Sequence, residues 1–198
     1  LRALGIAARH DGDLASAVES FSDARAAAAA AGMAPFEREL AVFAASVDGA
    51  RGNVTSALAT LEDVTERSTA QAEGVNEVWA RLATAQLLIR TGRHAEARAA
   101  VKAAQRAQRD FDYPYGNKAV SRLEAVLATL EEGWARSRAA WRVAIDRIAL
   151  AGDLDELGVT LRTAAALAAR SGDRDTAHAL LDAVPAGVHV DALAGLLF

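Results

Sequence analysis

From Leu14 onward, apolar side chains return at steps of three and four residues: Leu14, Ala17, Phe21 and Ala24. Positions spaced this way lie on one face of an α-helix. The stripe recurs at a constant interval of forty residues. It returns as Val54, Ala57, Leu61 and Val64, then as His94, Ala97, Val101 and Ala104. The fourth copy reads Trp134, Ser137, Trp141 and Ala144, and the fifth Arg174, Ala177, Leu181 and Val184. Four copies follow a glycine, at Gly12, Gly52, Gly92 and Gly172, and Glu132 fills that slot in the remaining one. A single stripe cannot be buried by its own hairpin, so neighbouring copies must stack, as in a solenoid.

Gly32 and Gly152 mark the half-period, with Ala72 and Asp112 at the other two midpoints. Glycine ends a helix readily because it enters the left-handed region without a side-chain clash. Asp13, Asn53, Asp153 and Asp173 stand directly after such glycines, where a side-chain oxygen can accept from free amides of the next helix. The spacing predicts helices over 1–10, 14–31, 35–50, 54–70, 75–91, 94–109, 117–131, 134–150, 155–170 and 174–183. These form one repeat domain over 1–184, with turns near 12, 52, 92, 132 and 172, and a tail or cap over 185–198.

Composition supports an all-α chain with a thin core. About a quarter of the 198 residues are alanine, and aromatics make up 5%. Alanine is the best helix former but buries little area. With no cysteine, disulfides and thiolate zinc sites are excluded, and a cytoplasmic setting is expected. No apolar run is long enough to span a bilayer, and no signal peptide opens the chain. The net charge of −4 argues against direct nucleic-acid binding. The start at Leu1, inside a helical pattern, reads as a fragment of a longer protein.

Leu4-Gly5, Gly12, Ala17, Phe21 and Ala24 resemble the tetratricopeptide repeat in order and spacing. Later copies keep the second-helix slots, while Ala44-Ala45, Thr84-Ala85, Glu124-Ala125 and Ala164-Ala165 stand where Leu-Gly would be. The usual repeat has 34 residues and this one forty. The longer hairpins are similar to helical arrays in bacterial signal-transduction ATPase regulators of the maltose-regulator type. The resemblance implies a right-handed α-α superhelix of five helical hairpins. It also implies that the first helix of each pair lines a concave groove. The groove slots would then be Arg2, Arg9, His10, Glu39, Val42, Ser46, Trp79, Leu82, Gln86, Arg90, Arg122, Thr129, Arg162 and Arg170. Ser46, Gln86 and Val126 occupy places where a chaperone-type carboxylate clamp wants asparagine, which argues against that specificity.

Each candidate has a plainer alternative. His10 with Asp11 and Asp13 offers metal-ligand chemistry, but the matching positions of other copies keep the glycine and not the ligands, so the turn is the better reading. No catalytic or phosphate-binding motif occurs, and no enzyme, metal or cofactor is expected. Trp134 and Trp141 lie seven apart in core slots and read as packing, whereas Trp79 reads equally as a groove anchor. Groove arginines would favour an acidic peptide or another anion. They could equally pair with Asp48, Glu77, Glu124 or Asp155. Tyr113 and Tyr115, in the segment Asp110–Asn117, stand either on the groove rim or over the join between repeats, with packing favoured. The apolar tail through Leu193, Leu196, Leu197 and Phe198 would cap the fifth hairpin or pair two chains as a homodimer.

The expected function is a protein-interaction scaffold, part of a bacterial regulator, holding a peptide or partner domain on its concave face. The alternative is the effector-sensing arm of a transcriptional regulator, taking a small anionic ligand.

Overall fold

A computed structural model describes residues 1–111 and 116–186. The tyrosine pair at 113 and 115 and the tail over 187–198 lie outside the described residues. The described residues form ten α-helices: α1 Arg2–His10, α2 Leu14–Ala30, α3 Ala34–Ala50, α4 Val54–Ala70, α5 Gly74–Arg90, α6 His94–Asp110, α7 Gly116–Glu132, α8 Trp134–Leu150, α9 Leu154–Arg170 and α10 Arg174–Asp182. No strand occurs among them, and none of these helices is long and apolar enough to cross a membrane. The chain divides into two compact units with the boundary between Gly116 and Asn117.

In the first unit each helix packs on the next, α1 through α6, and α3 also packs on α5. In α2, α4 and α6 the last three positions of the stripe read from the sequence are core, whereas the first, at Leu14, Val54 and His94, is half-buried; in α10 the stripe position Leu181 is 47% exposed. Ala17, Phe21 and Ala24 are buried in α2, Ala57, Leu61 and Val64 in α4, and Ala97, Val101 and Ala104 in α6. The stripe has a further slot, at Ala28, Ser68 and Gln108, which is also buried. In the small-residue slot of the first repeat, a methyl group on Gly5 would stand 2.7 Å from the Phe21 ring, so the ring takes the space that a side chain would need. Ala45 and Ala85 keep that slot small, and both are buried. Leu4 beside Gly5 is 62% exposed.

In the second unit α8 packs on α9 and α9 on α10. Trp134 and Trp141 are 6% and 2% exposed, with ring centroids 6.2 Å apart, which is the core reading. Trp141 Nε1 donates to Thr129 Oγ1 of α7 at 2.8 Å, and Thr129 and Ser137 share a hydroxyl contact of 2.8 Å. These bonds satisfy polar groups that burial would otherwise penalise.

The junctions depart from expectation in three places. Asp13, Asp153 and Asp173 accept from the amides of Ser16, Glu156 and Thr176, as N-caps should. Asn53 does not cap. Its amide Nδ2 instead donates to Asp48 Oδ1 at 2.7 Å, a charge-assisted bond that ties the side chain to the end of α3. At the fourth repeat, Glu132 remains helical and Gly133 makes the turn at φ 87°, one residue later than the slot predicted. At the midpoint of the second repeat, Ala72 takes φ 55°, in the region that glycine occupies at Gly32 and Gly152.

Candidate functional site

The candidate surface of the first unit is carried by α1, α3 and α5. Phe43 of α3 is its organising side chain. It stacks on the buried Phe21 at 5.4 Å between ring centroids. The guanidinium carbons of Arg2 and Arg9 each lie 5.6 Å from the Phe43 ring centroid. An arginine over an aromatic face is held by attraction to the ring quadrupole. Arg2 also reaches Glu39 at 2.8 Å. His10 is half-buried, and its Nδ1 is buried without a hydrogen-bond partner. Asp13, from the opening charged stretch, serves as a cap. Hydrogen bonds from the Ser16 hydroxyl and amide hold its carboxyl below the usual range.

On α5, Trp79 is 40% exposed while Leu82 is buried. Gln86 is half-buried. Arg90 Nη2 donates to the Ala50 carbonyl at 3.2 Å, tying the end of α5 to the end of α3. Trp79, Gln86 and Arg90 follow at intervals of seven and four, which places them on one face of α5. Val42 is core, and Ser46 Oγ donates to the Val42 carbonyl at 2.7 Å.

The second-unit candidates separate into two kinds. Arg122 is only 4% exposed, and its Nε donates to Glu156 Oε1 at 2.7 Å. This is the paired alternative, with Glu156 of α9 as the partner. Its Nη1 is buried without a partner. Arg162 and Arg170 on α9 are exposed.

Sequence reasoning missed the buried ion pairs that join successive odd-numbered helices. Arg38 of α3 is 1% exposed. Its Nε donates to Glu73 Oε2 at 2.6 Å, its Nη2 to Gln71 Oε1 at 2.6 Å, and a second short contact links Nη2 to Glu73 Oε1. Asn76 Nδ2 completes the cluster, donating to the Pro35 carbonyl at 2.9 Å and to Glu73 Oε2 at 3.1 Å. The Arg38 hydrogen bond holds the Glu73 carboxyl below its ordinary range, against the upward push of burial. Nearby, Glu37 takes Arg25 at 2.5 Å and Arg67 at 3.1 Å.

Two repeats later the same slots carry Lys118 and Asp153, 2.8 Å apart. Burial pushes the Asp153 carboxyl up, but hydrogen bonds from Lys118 and the Glu156 amide outweigh it and the net shift is downward. The available signal was a cation and an acid 35 residues apart, at 38 and 73 and again at 118 and 153. In α8, Trp134 Nε1 and Arg138 Nη2 both donate to Asp173 Oδ2, at 2.9 and 2.6 Å. Asp173 is lowered to about 2, first by the Trp134 bond and then by the Thr176 bonds.

Among the described residues, no group of three or more His, Cys, Asp or Glu side chains could hold a metal ion. The side chains placed on α1, α3 and α5 supply an aromatic ring pair, guanidinium groups over one ring and a half-buried amide. No family model matches the chain, and no curated protein and no solved structure matches it.

Proposed function

We propose that the chain is an interaction scaffold, a tetratricopeptide-like superhelix of five hairpins that holds a peptide or partner domain on its odd-numbered helices. The observation that carries this reading is Trp79. It is 40% exposed on α5, whereas the other two tryptophans are 6% and 2% exposed. Burying such a ring supplies a large share of an interface's energy, and tryptophan is enriched among binding anchors. Gln86 and Arg90 on the same face add donors, so an acidic or carboxylate-bearing peptide is the favoured partner.

Selection of peptides from a displayed library against the chain tests the reading. Enriched peptides are expected to carry acidic residues. Trp79→Ala is expected to weaken their binding at least about tenfold. Arg90→Glu is expected to weaken binding more than it lowers the melting temperature. A failure to enrich any peptide, or binding that both variants leave intact, refutes this function.

A further inference from the structure

The even-numbered helices repeat so closely that departures on their exposed faces stand out. Where α2, α4 and α6 carry Asp23, Asp63 and Ala103, α8 carries Val143, which is 54% exposed. Where they carry Ala30, Ala70 and Asp110, α8 carries Leu150, which is 89% exposed. Arg136 takes the slot of Ser16, Ser56 and Glu96, and Arg142 that of Ser22, Glu62 and Lys102. Arg136, Val143 and Leu150 follow at intervals of seven and form one ridge, with Arg142 on its flank. Neither Arg136 nor Arg142 has a carboxylate partner among the described residues. The result is an exposed apolar ridge with an excess of positive charge: Arg136, Arg142 and Arg147 against the single acid Asp146, which lies between Val143 and Leu150.

A surface of opposite character lies in the first unit. A cleft of about 710 Å³ opens between α4 and α6, with α5 as its floor. Leu58 and Leu88 supply its apolar surface, and Glu62 and Glu66 stand one turn apart on the α4 wall. The two arginines of the cleft are already neutralised: Arg81 by Glu77 at 2.8 Å and Arg93 by Glu96 at 2.6 Å. Glu62 and Glu66 have no such cation. The threonine hydroxyls do not compensate. Thr65, Thr69 and Thr84 donate to the carbonyls of Leu61, Thr65 and Ala80 within their own helices. They present lone pairs to the cleft and no donors. An acceptor-only wall above an apolar floor fits an occupant that brings cations on an apolar face, and it repels an anion.

We propose that this cleft takes the α8 ridge of a second copy of the chain. Val143 and Leu150 then meet Leu58 and Leu88, and Arg136 and Arg142 meet Glu62 and Glu66. The contact uses two different patches, so each copy keeps one patch free after pairing and growth continues past the dimer unless a ring closes. One helix ridge in one cleft is smaller than a standard stable interface, so the association is weak and salt-sensitive. It does not use Trp79 and does not rest on that reading.

Sedimentation of the 198-residue chain tests the proposal. Over about 10 μM to 1 mM, a range suited to weak association, the mean mass is expected to rise past the dimer and to fall when salt is raised. Glu62→Lys with Glu66→Lys, and separately Arg136→Glu with Arg142→Glu, should each weaken association at least about tenfold. Both pairs are exposed, so melting curves should be unchanged. An equimolar mixture of the two double variants should associate again, because the intact cleft of one meets the intact ridge of the other. A wild-type chain that stays monomeric, association that both double variants retain, or a mixture that stays monomeric overturns the proposal.

Discussion

Helices α2 and α4 each bury four residues along one stripe, whereas α3 buries eight and α5 eleven, over most of the circumference. Length does not explain this, since all four have 17 residues. Neighbours do. α3 is covered by α2, α4 and α5, and α5 by α3, α4 and α6. An α-helix with one covered side can stay amphipathic, whereas one covered on several sides must be apolar, small or internally paired nearly all round. That accounts for Ala80, Ala83 and Ala85 in α5, and for a fully buried arginine in α3.

The even-numbered side of the comparison breaks most simply at Phe21. Its ring is 0% exposed, fills the space above Gly5 and supports Phe43. Truncation leaves a hole that a repeat of small residues cannot close. Phe21→Ala is expected to cost about 3–5 kcal/mol in a denaturant melt. It should also release Arg2 and Arg9 from their ring contact, visible as altered arginine side-chain signals in NMR. A loss under about 1 kcal/mol would mean that the stripe is not the core of this unit.

The odd-numbered side breaks at a charge. Arg38 is buried, while its partner Glu73 keeps 17% side-chain exposure. Arg38→Met leaves Glu73 without its main donor. Allowing for that exposure, the loss is about 2–3 kcal/mol. Arg38→Met with Glu73→Gln removes both charges and should recover about 1 kcal/mol of it.

The same pair carries a pH signature. Glu73 is lowered when folded, so its contribution is fully present above the ordinary glutamate value, about 4.3, and is lost as pH falls through the depressed folded value. Stability of the wild-type chain should therefore drop on that acid limb more steeply than stability of the Arg38→Met variant. Equal slopes would show that Glu73 gains nothing from Arg38.

The same asymmetry decides what the sequence reveals. The even-numbered stripe is local, with Ala57, Leu61 and Val64 within two turns, and a forty-residue period makes it plain. All ten predicted helices overlap the observed ones to within one residue at each end. Joints between odd-numbered helices are not local. Arg38 looks like any surface arginine until Glu73 is placed beside it, 35 residues away. The groove arginines show the same limit: Arg122 and Arg162 occupy one repeat slot, yet Arg122 is buried against Glu156 and Arg162 is exposed. Slot assignment gives the face of a helix, and the neighbour's side chain decides whether a charge on that face is spent.

The smallest effect sharpens the comparison at the backbone. The junction after α2 turns on Gly32 at φ 70°, and the one after α4 on Ala72 at φ 55°. Nothing lies within 4 Å of a Cβ added at Gly32, so only the backbone term separates the two residues there. A left-handed alanine costs about 1–2 kcal/mol, partly offset because glycine loses more freedom on folding. Ala72→Gly is then expected to stabilise by about 0.5–1 kcal/mol and Gly32→Ala to destabilise by a similar amount. Opposite signs in paired denaturant melts would establish that the two junctions are the same turn with different residues in it. A destabilising Ala72→Gly would instead show that the Ala72 methyl contributes more by packing than its backbone conformation costs.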